Sequence, residues 1–210
     1  EVKLASADYI DLKAYEPAMR HLIDTYINAE ESKVISAFDD MSLVELIVER
    51  GESAINSLPN NIRKNRQAVA ETIENNLRKV INDERPINPK YYENMSELLD
   101  ELILQRRAEA IEYEKYLAMI VELSRKVKRP NETKYPKTLD TRAKRALYDN
   151  LDQNEDLAVL LDYEIIYTKK DDWRGTEIKK REVRYAIKKH IKGEAEVQRI
   201  FEIVKNQPDY

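Results

Sequence analysis

Residues 89–128 read PKYYENMSELLDELILQRRAEAIEYEKYLAMIVELSRKVK. Asn88 and Pro89 make a cap-and-first-turn start, and no glycine or proline follows until Pro130. Roughly forty residues at about 1.5 Å each predict one central helix of about 60 Å. Met95, Leu98 and Leu102, then Tyr113, Leu117, Ile120 and Val121, supply its apolar stripe. The gap between them, Gln105 to Ala110, is polar, so the two ends are expected to pack on different neighbours.

The same reading extends outward in both directions. Pro17 opens an expected helix to Asn28, with Met19, Ile23 and Ile27 on one face. Ser42 is an N-cap for Leu43–Arg50, and Gly51 its stop. A short segment, Ala54 to Leu58, ends at Pro59. A further helix runs from Asn65 to Glu84 on Val69, Ile73, Leu77, Val80 and Ile81, and Pro86 closes it. Beyond the long segment, residues 130–140 carry two prolines and few hydrophobic side chains, which marks a boundary. Thr141 and Asn154 then cap helices to Asn150 and Thr168. The turn DDWRG (171–175) leads to two last helices, near 176–191 and 194–206, parted by Gly193. No period-2 pattern is found. The expected fold is all-α: an elongated helical bundle over 1–129 with one long central helix, and a smaller C-terminal helical subdomain over 138–210.

Composition agrees. Of 210 residues, 36% are charged and only 3 are glycine, which suits long helices and opposes turn-rich or phosphate-cradling folds. Leu, Ile, Val and Phe make up about a quarter of the chain, above the level typical of disorder. There is no cysteine, so disulfides, thiolate metal sites and thiol nucleophiles are excluded. Apolar runs such as Leu157 to Leu161 fall far short of the roughly 18 residues that span a bilayer, so no membrane is expected. Residue 1 is Glu, and the chain reads as a fragment of something longer. The net charge of −4 hides strong blocks: net +7 over residues 125–145, −6 over 146–168 and +6 over 169–192.

Catalytic machinery is not evident. Gly51, Gly175 and Gly193 are isolated, without the Lys-Ser/Thr context of a phosphate loop. His21 and His190 stand far apart, and His190 lies amid Val183, Ala186, Ile187 and Ile191, as a histidine at a core edge would. The carboxylate pairs Asp39/Asp40, Asp100/Glu101, Glu112/Glu114 and Asp171/Asp172 read as solvated faces. Glu177-Ile178-Lys179 has the letters of a nuclease motif but sits in a helical pattern. The expected catalytic, cofactor and metal residues are therefore none.

Two binding candidates remain. On a wheel of the 176–191 helix, Arg181, Arg184, Lys188 and Lys192 fall opposite the apolar stripe, with Tyr185 among them. This face could track a phosphate backbone, or be a solvated face balanced by the acidic 146–168 block. Trp173, with Arg174 beside it, either anchors its turn in the core or joins Tyr185 as a partner contact.

Several longer strings have a family character. These are residues 15–47 (YEPAMRHLIDTYINAEESKVISAFDDMSLVELI), INSLP (55–59), AVAETIENNLRK (68–79), AKRALYDNL (143–151), DDWRG (171–175) and RIFEIVKNQ (199–207), and the resemblance they carry spans essentially the whole chain. They resemble the C-terminal helical region of the R subunits of type I restriction enzymes. In that family the turn is usually DGWRG; Asp172 replaces its glycine, and Asp tolerates a positive φ better than most residues. The resemblance implies a parent chain with a nuclease domain and an ATP- and Mg-dependent DNA-translocating motor, both outside this segment. It implies a cytoplasmic protein, inert alone, that braces the motor domains and docks on the methyltransferase (M) subunit and the core containing the specificity (S) subunit. DNA is the rival partner, and a general helical scaffold the third reading.

Overall fold

Ser42 opens the first described helix through a reciprocal cap. Its backbone N–H donates to Glu45 Oε2 at 2.9 Å, and Glu45 N–H donates to Ser42 Oγ at 3.3 Å. The structure is a computed structural model that describes residues 42–130 and 135–210. The helix expected at Pro17–Asn28, His21 and the Asp39/Asp40 pair lie outside the described residues. Helix α1 (Leu43–Arg50) ends at Gly51, whose φ of 61° is one that a side chain would resist. The short segment before Pro59 is a 3₁₀ helix (Gly51–Ser57). Then come α2 (Asn60–Arg63), α3 (Arg66–Glu84), α4 (Pro89–Arg107), α5 (Tyr113–Lys128), α6 (Arg142–Asn150), α7 (Glu155–Thr168), α8 (Glu177–Lys188) and α9 (Glu194–Asn206). All regular structure among the described residues is helical, as the periodicity required.

The single long helix over 89–128 is not formed. The chain reverses at Ala108–Glu112, and α4 and α5 are an antiparallel pair. The reversal is a Schellman motif: Ala110 N–H donates to Gln105 O and Glu109 N–H to Arg106 O, with Glu109 left-handed at φ 53°. That position usually belongs to glycine, which is why no breaker is visible in the letters. The polar gap noted in the sequence is the reversal itself.

Two apolar cores result. In the first, Leu46 and Ile47 of α1, Ile73, Leu77 and Ile81 of α3, Leu99 of α4, and Tyr116 and Ile120 of α5 are all essentially inaccessible. Each such aliphatic side chain contributes about 1.5–3 kcal/mol by leaving water. Glu74 enters this core at 4% exposure. It is accommodated because Arg106 grips both carboxylate oxygens, at 2.7 and 3.1 Å, and the Tyr116 hydroxyl donates to one of them. The second core gathers Leu147, Leu161, Ile165, Val183, Ile187 and Phe201 from α6 to α9.

The described residues belong to one compact unit, and its two cores meet through hydrogen bonds. The side chain of Asn88, the α4 cap, donates to Asp149 Oδ2 at 2.7 Å and accepts from Asn150 at 2.8 Å. The Tyr135 hydroxyl donates to the same Asp149 oxygen, and Gln207 donates to the Ile87 carbonyl. Arg142 reaches Glu84 at 2.9 Å. Burial pushes the Asp149 carboxyl up, against the two hydrogen bonds that hold it down.

Candidate functional site

The DDWRG turn sends its tryptophan inward and leaves Asp171, Asp172 and Gly175 exposed. Trp173 is 3% exposed, its ring edge-on to Phe201 at 6.1 Å between centroids. Arg174 lays its guanidinium over the Trp173 ring at 4.7 Å. Its Nε donates to Lys205 O, Nη1 to Tyr210 O and Nη2 to Gln207 O, at 2.8, 2.7 and 2.5 Å. One side chain thus collects three carbonyls from the end of α9 and the residues after it. Of the two readings offered for Trp173 and Arg174, the geometry matches the anchor: the ring is buried in the second core, and the guanidinium holds three main-chain oxygens. Asp172 takes φ 52°, the conformation the turn needs, and its carboxylate covers Gly175. The Tyr210 ring is buried too, and its hydroxyl donates to Asp162 Oδ1 at 2.8 Å.

The basic face of α8 is less uniform than its wheel. Arg184 is half-buried, with its guanidinium over the Phe201 ring at 4.4 Å, and belongs to the core edge. That corrects its assignment to the outer face. The helix also stops at Lys188, so Lys192 lies beyond it. Lys188 pairs with Glu194 at 2.8 Å and Lys189 with Glu164 at 3.3 Å. Lys180 pairs with Glu177, and Lys170 with Glu182. The lysine hydrogen bonds hold the Glu194 and Glu177 carboxyls below their ordinary range. Arg181 and Lys192 remain exposed. Interleaved carboxylates thus break up what reads in sequence as a positive stripe. His190 is half-buried beside Ile187 and Ile191, and among the described residues no cluster of His, Asp or Glu could hold a metal ion. Glu177-Ile178-Lys179 opens α8.

Tyr185 alone of the three expected contacts stands out from the surface, at 65% exposure. Its surroundings were not singled out in the sequence. Helix α7, EDLAVLLDYEIIYT, turns Ala158, Leu161, Asp162 and Ile165 into the core. Its opposite side carries Leu160, Tyr163, Ile166 and Tyr167, which are 42%, 64%, 51% and 82% exposed. Tyr163 and Tyr167 stack at 6.3 Å with an interplanar angle of 12°. A cleft of about 330 Å³ joins Tyr167 to Tyr185 between Lys170, Glu182 and Lys189. The signal in the letters is Leu160, Tyr163 and Tyr167 at helical spacing, with Asp156 and Glu164 on the same side of the helix.

No family model, curated protein or solved structure matches the chain. Among the described residues no helix is long and apolar enough to cross a membrane.

Proposed function

We propose that these helices are the C-terminal assembly region of the R subunit of a type I restriction enzyme, and that they dock this subunit on the methyltransferase core. The region does no chemistry by itself. Cleavage and ATP-driven translocation, with their Mg²⁺, belong to other domains of the parent chain, which works in the cytoplasm. The family-like strings support the identity. The observation that carries the docking role is the bare side of α7, Leu160, Tyr163, Ile166 and Tyr167, continued by Tyr185 of α8. Exposed tyrosines with rim charges of both signs suit a protein surface: the rings supply area at low entropic cost, and the charges set orientation. The ion pairing of Lys170, Lys188 and Lys189 favours this reading over a DNA track, which needs uncompensated positive charge.

Calorimetric titration with purified M subunit tests the proposal. Replacing Tyr163 and Tyr167 together by Ser removes two exposed rings and should weaken binding by about 2 kcal/mol or more, roughly thirtyfold. Arg181→Ala with Lys192→Ala should change affinity little. Unaltered affinity in the double tyrosine variant would overturn the docking face. A DNA affinity whose salt dependence falls in the Arg181/Lys192 variant would favour the rival.

A further inference from the structure

Residues 207–210 leave α9 as a short tail, extended at Gln207, that is buried at both ends and exposed between them. Gln207 is 1% exposed and Tyr210 7%, while Pro208 and Asp209 face solvent. The tail has no helix of its own, so its place depends on what holds it. Arg174 takes the carbonyls of Gln207 and Tyr210. The Tyr210 hydroxyl reaches Asp162 of α7. Asp209 Oδ2 accepts the Ala143 N–H at 2.9 Å, in the first turn of α6. Gln207 crosses to the first core and donates Nε2 to the Ile87 carbonyl.

This seating sets gains against costs. Asp162 is 4% exposed, and burial pushes its carboxyl up, against the hydrogen bond from Tyr210. Gln207 Oε1 is buried and meets no donor among the described residues. An orphaned buried acceptor gives back part of what the other bonds contribute. The joint that the tail closes is polar as well. The two apolar clusters share no side chain. Asn88 bonds Asp149 and Asn150 across it, and Arg142 bonds Glu84. Gln207 docks on Ile87, next to Asn88, so the tail fastens this same joint. Water can satisfy such groups once they separate, so the joint parts at far less cost than either core.

We infer that residues 207–210 are a strap. Seated, it locks the two cores into one body; lifted, it lets them part along the polar joint, each still folded. The inference is independent of the docking role of α7.

The Ala143 N–H reads the strap directly. It lies in the first turn of α6, where no helix carbonyl can accept it, and Asp209 supplies the acceptor. Native-state hydrogen exchange should show Ala143 opening with little dependence on urea, ahead of the Leu147 amide in the same helix. Gln207→Ala removes the bond to Ile87 and should speed exchange at Ala143 about tenfold, leaving Leu147 unchanged. Gln207 bonds Ile87 and not Ala143, so only a tail that lifts as a unit transmits the change. The parting is read by distance. The chain has no cysteine, so Lys79→Cys on α3 and Arg181→Cys on α8, both exposed, accept spin labels. Gln207→Glu sets a carboxylate against the Ile87 carbonyl and should add a second, longer distance to the single one of the parent. Trp173 fluorescence and helical content should stay as they are. Exchange of Ala143 only together with Leu147, unaltered Ala143 exchange in Gln207→Ala, or one unaltered distance in Gln207→Glu would overturn the inference. So would a longer distance that comes with loss of the Trp173 signal, since the second core would then be melting.

Discussion

The Tyr116 hydroxyl donates to Glu74 Oε1 at 2.9 Å inside the first core, where Tyr116 itself is inaccessible to solvent. Arg106 completes the group from α4, so three helices share one carboxylate. Glu74→Ala leaves the guanidinium and the phenol without their partner, and should cost about 3 kcal/mol or more. Tyr116→Phe should cost only about 1 kcal/mol, because Arg106 still satisfies Glu74. Urea midpoints of the two variants, with a double-mutant cycle, check the order.

Glu109 holds a left-handed conformation that costs a side-chain-bearing residue about 1 kcal/mol or more. Glu109→Gly should therefore stabilise the protein by up to about 1 kcal/mol, after the entropy that glycine brings to the unfolded chain. A continuous helix through 108–112 would predict the opposite sign, since glycine inside a helix is destabilising. Thermal midpoints decide between them.

Trp173→Ala empties a site that the second core closes on, and should cost about 3–5 kcal/mol. The loss should appear in helical content and melting temperature before any change in partner binding. Arg174→Lys keeps the charge but can no longer reach three carbonyls in a plane, so it should also lower the melting temperature. A Trp173→Ala variant with full helicity and weakened binding would restore this residue to the interface.

Stability against pH carries two opposed contributions. Glu45 is lowered from 4.5 to about 2, first by the Lys128 ammonium and then by the Ser42 N–H. Its contribution is full above pH 4.5 and fades as the pH falls toward 2. Asp149 is shifted the other way by burial, so its contribution is present in acid and is lost as the pH rises through its folded value. Glu45→Gln should flatten the acid limb of stability. Asp149→Asn should remove a loss of stability at higher pH, while the side-chain oxygen still accepts from Tyr135. Urea titrations between about pH 3 and about pH 7 resolve the two.

Helix starts were legible because capping is local chemistry. Asn88, Thr141 and Asn154 all receive the backbone N–H groups expected of them. The α4/α5 reversal was not, since its left-handed residue is a glutamate and only hydrogen bonds across the turn disclose it. For Trp173 the sequence offered both an inward and an outward placement, and the structure shows the inward one. A turn residue faces inward or outward according to what packs beneath it, here Phe201 from a segment 28 residues on. The α7 face was not read, because Leu160, Tyr163, Ile166 and Tyr167 are interspersed with the carboxylates of an acidic block. The balance expected between the basic face and the acidic 146–168 block is seen where Lys189 pairs with Glu164, while Lys188 takes Glu194 from beyond both blocks.

The reversal at Ala108–Glu112 also changes what this part of the chain can do mechanically. A continuous helix over 89–128 would be a strut about 60 Å long, able to carry force or torque between its ends. Folded back, the same residues reach about 28 Å, and the far end of α5 returns to the start of α4, where Tyr91 and Tyr92 hold it by the Lys126 and Val127 carbonyls. A displacement applied at one end is met at that same end and is not relayed. The segment behaves as a wedge and not as a lever arm.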